Sequence, residues 1–88
     1  MYACTVNYTL NVQQGATAGT VSVGADYGSS GNCNEGPYTA PASTNTAIPY
    51  VTVFAGLPPG TYTFWIDAAD TASATVISTG YVLCSPQR

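Results

Sequence analysis

Apolar and polar residues alternate from the start of the chain. Cys4, Val6, Tyr8, Leu10 and Val12 fall on one face, and Thr5, Asn7, Thr9 and Asn11 on the other. Side chains that repeat every second residue belong to a strand with one buried face. Residues 3–12 are therefore predicted as the first strand, and Gln13-Gln14-Gly15-Ala16 as the turn after it. A second strand turns Val21, Val23, Ala25 and Tyr27 inward and Thr20, Ser22 and Asp26 outward. From Gly28 to Ala47 the chain is rich in Gly, Ser, Asn and Pro, which predicts a long connection with a short strand around Pro37-Tyr38-Thr39. Connections this long in compact domains are usually functional or packed against something. Tyr50 to Phe54 is a third clear strand. Gly56-Leu57-Pro58-Pro59-Gly60 is a turn, because Pro fixes φ and Gly accepts positive φ. Thr61 to Asp67 follows as a strand with Tyr62, Phe64 and Ile66 inward and Trp65 outward. Asp67 to Asp70 is predicted as a bend, and Ser73 to Cys84 as one strand broken near Gly80 or as two short ones.

Short strands divided by turn signals describe a sandwich rather than a parallel sheet. The expected fold is an all-β, Ig-like or prealbumin-like antiparallel β-sandwich of about seven strands, with residues 1–88 as one domain. Helix formers are scarce, whereas Thr, Val and Tyr, which fit a pleated surface, dominate. With 45% apolar residues, one Trp, seven Tyr and two Phe, the chain has enough to build a core.

Charge narrows the function classes. Arg88 is the only cationic side chain, against Asp26, Glu35, Asp67 and Asp70, and there is no Lys or His. Nucleic-acid binding is disfavoured because affinity for phosphates comes from Lys and Arg. An anionic membrane surface is disfavoured for the same reason, and no apolar run is long enough to span a bilayer. Without His or Lys there is no imidazole base, Schiff-base lysine or His-activated nucleophile, so no enzyme is expected. No cofactor is implied. A free monomer normally relies on dispersed charge for solubility, so this neutral surface suits cover by neighbours. The N-terminus lacks a basic region followed by an apolar stretch. That suggests a mature fragment given a start Met, or a protein released without a secretion signal, as a virion component made inside a host would be.

Cys4, Cys33 and Cys84 have no close spacing, which removes zinc-ribbon and thioredoxin-like readings. One disulfide with a leftover thiol is expected, and any two of the three can pair. A Cys4–Cys84 bridge would join the first and last strands and contribute about 4 kcal/mol by restricting the unfolded chain. The odd cysteine could bridge to another subunit. The alternative is three reduced, buried cysteines acting as small apolar side chains.

The stretch Phe54-Ala55-Gly56-Leu57-Pro58-Pro59-Gly60-Thr61-Tyr62-Thr63-Phe64, with Ile66 and Asp67, resembles a hallmark of small bacterial surface sandwiches. These are the gliding-motility adhesin repeats and the collagen-adhesin B-type and carboxypeptidase-regulatory-like domains. Gly19-Thr20-Val21-Ser22-Val23 and Gly36-Pro37-Tyr38-Thr39 resemble the adhesin repeats more loosely. The resemblance implies a stalk, spacer or adhesive module, with Leu57 plugging the open end of the core. The chain departs from those patterns in having no Lys for an isopeptide cross-link and no Gly-Cys after Asp67.

Asp67 and Asp70, with Asp26 or Glu35, are candidate calcium ligands, because calcium takes carboxylate and carbonyl oxygens. As ordinary turn residues they would instead bond backbone amides nearby. Trp65, Tyr38 and Tyr50 are the candidate interaction residues, suited to subunit contacts or to stacking on sugars. Asn7-Tyr8-Thr9 matches the N-glycosylation acceptor pattern. The leading expectation is a structural subunit or module of an extracellular or virion assembly, such as a phage decoration or fibre protein or a filament subunit. It would associate with itself or with a larger protein scaffold, and the first strand is the segment suspected of exchange between copies. The alternative is an adhesive module at a bacterial cell surface that recognises glycan or protein. A third is a secreted inhibitor or toxin-like protein.

Overall fold

The computed structural model describes residues 1–28, 33 and 35–87, so Arg88 and part of the Gly28–Ala47 connection lie outside the described residues. Six strands account for most of the chain: β1 (Tyr2–Gln14), β2 (Gly19–Tyr27), β3 (Glu35–Ala40), β4 (Asn45–Leu57), β5 (Phe64–Asp70) and β6 (Ala74–Pro86). They form two antiparallel three-stranded sheets. Sheet A has the order β4-β1-β6, and sheet B the order β3-β2-β5. The expectation was about seven strands, and six are described. The principal extents are 48 × 19 × 17 Å, so the molecule is a rod with its long strands along the axis.

The alternation of the first segment is what places β1 at the centre. Its apolar face, Val6, Tyr8, Leu10 and Val12, is buried against Val21, Val23 and Ala25 of β2, with Ala40, Ile48 and Tyr50 closing the core. Tyr8 spans the two layers. Its hydroxyl donates to the Gly24 carbonyl at 2.8 Å, and the Asp67 carbonyl lies 3.5 Å away. A buried phenol needs such a partner, and this one joins sheet A to sheet B in mid-core. Burial pushes the Tyr8 phenol up to about 12.

Several predicted boundaries move. β1 continues through Gln13 and Gln14, because Gln14 Nε2 donates to the Thr17 carbonyl and its amide N–H to the Thr44 carbonyl. The expected long connection holds β3 and the start of β4, so it is much shorter than its composition suggests. The strand expected from Thr61 begins at Phe64, and the Asp67–Asp70 bend is instead the end of β5, with Asp67 opposite Gly24. β6 runs unbroken through Gly80. That glycine lies opposite Tyr8, and a Cβ added there would overlap the Asn7 carbonyl oxygen and Tyr8 Cα. The absent side chain lets the strand continue. Leu57, the last residue of β4, is buried.

The first strand, suspected of exchange between copies, is the central strand of sheet A and not an edge. Both of its edges are occupied, by β4 and β6 along nearly its whole length. The outermost strand of sheet A on that side is β6.

Candidate interaction surfaces

The Cys4–Cys84 disulfide forms between directly opposed residues of β1 and β6, with S–S 2.05 Å and Cα–Cα 4.0 Å. Cys33 is free and half-buried. Burial pushes its thiol above the usual range, and the nearby Asp67 and Asp26 carboxylates push the same way. It is therefore a protonated thiol at neutral pH, not an activated nucleophile.

Aromatic rings gather at the disulfide end. Tyr27, at the end of β2, packs edge-on against Phe54 at 5.2 Å and Tyr62 at 5.8 Å, and Phe64 lies 5.6 Å from Phe54. The Tyr62 hydroxyl donates to the Pro58 carbonyl at 2.6 Å, which fixes the Pro58-Pro59-Gly60 turn. Beside this cluster is an open pocket of about 270 Å³, lined by Tyr2, Pro58, Pro59, Gly60, Tyr62 and the disulfide. Its walls carry no charge.

The sequence-derived interaction residues do not converge. Trp65 points away from the core on sheet B, opposite Asp26, and is 37% exposed. Tyr38 is also exposed, on β3, with its hydroxyl donating to Glu35 Oε2 at 3.3 Å. Tyr50 is not a surface residue: it is buried in the core with its ring 5.4 Å from that of Tyr8. An even spacing from Ile48 along β4 put it on the inner face, a parity that the sequence reading overlooked. Asp67 and Asp70 are three residues apart on one strand, so they face opposite sides of sheet B. Asp70 accepts from the Ala72 and Ala74 amides at 3.1 and 2.8 Å, shaping the crossover into β6. That is the turn role weighed against calcium, and among the described residues no three His, Cys, Asp or Glu side chains gather to hold a metal ion. Asn7 lies on the outer face of the central strand, donating to the Tyr81 hydroxyl at 3.4 Å.

The surface that sequence reasoning missed is sheet A itself. Its three strands contain no Asp, Glu, Lys or Arg, while the four acidic residues all lie on sheet B. On its outer face the strand register sets Val53, Thr5 and Leu83 in one row and Val51, Asn7 and Tyr81 in the next. Val51, Val53, Ile77, Tyr81 and Leu83 are about half exposed or more. The signal was available: odd positions of 47–55 and 75–83 are apolar or uncharged, but neither stretch alternates as cleanly as residues 4–12.

No family model, curated protein or solved structure matches the chain. The disulfide is compatible with an oxidising compartment. No helix is long and apolar enough to cross a membrane.

Proposed function

We propose that this chain is a non-enzymatic structural subunit or module of an extracellular or virion assembly, built as an Ig-like or prealbumin-like β-sandwich. The observation that carries the reading is the uncharged sheet A, with its row of exposed Val, Ile, Tyr and Leu side chains. These apolar side chains on β4 and β6 flank the polar Thr5 and Asn7 of β1, and exposed apolar surface together with depletion of charge marks an interaction site. The bridged first and last strands suit a module that must persist outside a reducing cell. A phage decoration or fibre protein, or a filament subunit, is the kind of assembly meant.

Light scattering on the native protein, with and without reductant, tests this reading. A defined oligomer is expected, and retention of that oligomer in a Cys33→Ser variant would show that the free thiol bridges nothing. A monomer of 9.0 kDa at every concentration would remove the self-associating form.

A second reading is supported by a different surface. The uncharged pocket between Tyr2 and Tyr62, and the exposed Trp65, are the aromatic platforms that an adhesive module would present to glycan or protein. This is also the function class that the resemblance of residues 54–67 to bacterial surface sandwiches suggests. A change in Trp65 fluorescence on titration with oligosaccharides would favour it.

A further inference from the structure

We infer that β6 is a dimerisation strand: a second copy of this chain adds its own β6, antiparallel, to the open edge of sheet A. The inference rests on the assembly reading above and names the partner and the seam.

The two sheets have four edge strands, and three are protected. β3 is six residues long and contains Pro37; β5 is seven residues long and carries Asp67 and Asp70; β4 has Pro49 midway. Short length, proline and charge are the usual means of keeping a sheet edge from pairing. β6 has none of these along its thirteen residues except Pro86 at its end. At about 3.3 Å per residue it extends about 43 Å, nearly the length of the molecule.

Its free backbone groups can be assigned. The 4.0 Å Cα separation of Cys4 and Cys84 marks a pair that exchanges no backbone hydrogen bonds, so Cys84 directs its N–H and C=O away from β1. The Ala74 amide agrees, since it bonds the Asp70 carboxylate and not β1. By alternation Val76, Ser78, Gly80 and Val82 also offer their backbone groups to the open edge. Among the described residues, no strand takes them up.

The residue pattern favours a second copy over an unrelated strand. Gly80 is the midpoint of β6, and a twofold axis through it sets Ile77 opposite Leu83 of the partner subunit and Thr79 opposite Tyr81 of the partner subunit. Each pair occurs twice, once on either side of the axis, as an isologous interface requires, and every side chain in it is uncharged. Both pairs fall at the closer, non-hydrogen-bonded positions, where cross-strand side chains interact best. Gly80 brings no side chains to the axis. The seam also contains no ion to desolvate, in a chain whose net charge is −3. The product is one six-stranded sheet, with each copy's β4 at an outer edge.

Sedimentation equilibrium of the full chain, from low micromolar to about 1 mM, tests the inference. The wild type and Val53→Lys, which alters the outer face far from the seam, are expected to dimerise equally. Ser78→Pro removes an edge-facing N–H, a place where a strand tolerates proline. It is expected to weaken the dimer at least tenfold while leaving the circular dichroism spectrum unchanged. Ser78→Lys, which changes no backbone group, is expected to do the same and serves if the proline variant misfolds. A dimer that survives both Ser78 variants but is lost in Val53→Lys overturns edge pairing and leaves the assembly reading standing, with face-to-face stacking as its basis. A wild type that stays monomeric throughout overturns edge pairing and removes the self-associating form of the assembly reading.

Discussion

Sheets A and B are built from the same kinds of residue and present opposite problems to solvent. Sheet B carries every acidic side chain, has short edges, and bonds its charges locally: Asp70 to two amides and Glu35 to Tyr38. Sheet A carries no charge, has two thirteen-residue edge strands, and exposes large apolar side chains on its outer face. On its inner face sheet A is the better buried, since β1 alone supplies four members of the core. Core quality and surface solubility are thus separable. The strand at the centre of the core belongs to the sheet least suited to stand in water alone.

Substitutions can break that contrast, and the largest effect lies in sheet A. Cys84→Ser opens a bridge closing an 80-residue separation and is expected to lower stability by about 4 kcal/mol, read from chemical denaturation. Gly80→Val forces a side chain into the β1 backbone and is expected to cost about 3 kcal/mol by the same assay, through detachment of β6. If Gly80→Val is tolerated, the close approach of β1 and β6 is wrong. On sheet B, Asp70→Ala removes two hydrogen bonds to amides and is expected to cost about 1–2 kcal/mol, with the loss confined to the β5–β6 crossover by hydrogen exchange.

Tyr8→Phe, which cuts the bond between the layers, is expected to cost about 1 kcal/mol near neutral pH. Its pH dependence sharpens the test. The folded phenol titrates near 12 and the unfolded one near 10, so the folded state holds its proton longer. Stability from this group is complete below about pH 10 and declines as pH rises toward 12. Denaturation midpoints of the wild type should fall across that window more steeply than those of Tyr8→Phe. The smallest effect is expected for Leu83→Ser, which should move stability by less than about 0.5 kcal/mol, because Leu83 is 64% exposed in the isolated chain.

Much of the fold was legible where one physical signal acted alone. Residues 4–12 alternate because one face of β1 is buried and the other is not, and their pairing through Cys4 to Cys84 follows from the antiparallel register. Legibility failed where tertiary context decided. Phe64 to Asp70 reads as strand followed by bend because two aspartates suggest a turn, yet Asp67 pairs with Gly24 inside sheet B and is buried. Gly80 reads as a break because glycine weakens strands in general, whereas here it answers the closeness of Tyr8. Parity turned Trp65 outward and Ile66 inward, yet Ile66 is the more exposed of the two, at 44% against 37%, and Tyr50, taken for a surface ring, is buried. The uncharged face of sheet A could be seen only after three distant segments had been brought side by side.

The disulfide has a mechanical consequence. β1 begins and β6 ends at the same end of the rod, where the Gln87 amide donates to the Met1 carbonyl at 2.8 Å. Tension applied through the two ends passes from Met1 to Cys4, across the sulfur bridge, and out through Ser85 and Pro86. The span enclosed by the bridge, both sheets included, is bypassed by the force. Pulled in this way, the module would lengthen by only a few residues before a covalent bond took the strain, which makes it an inextensible link rather than a spring.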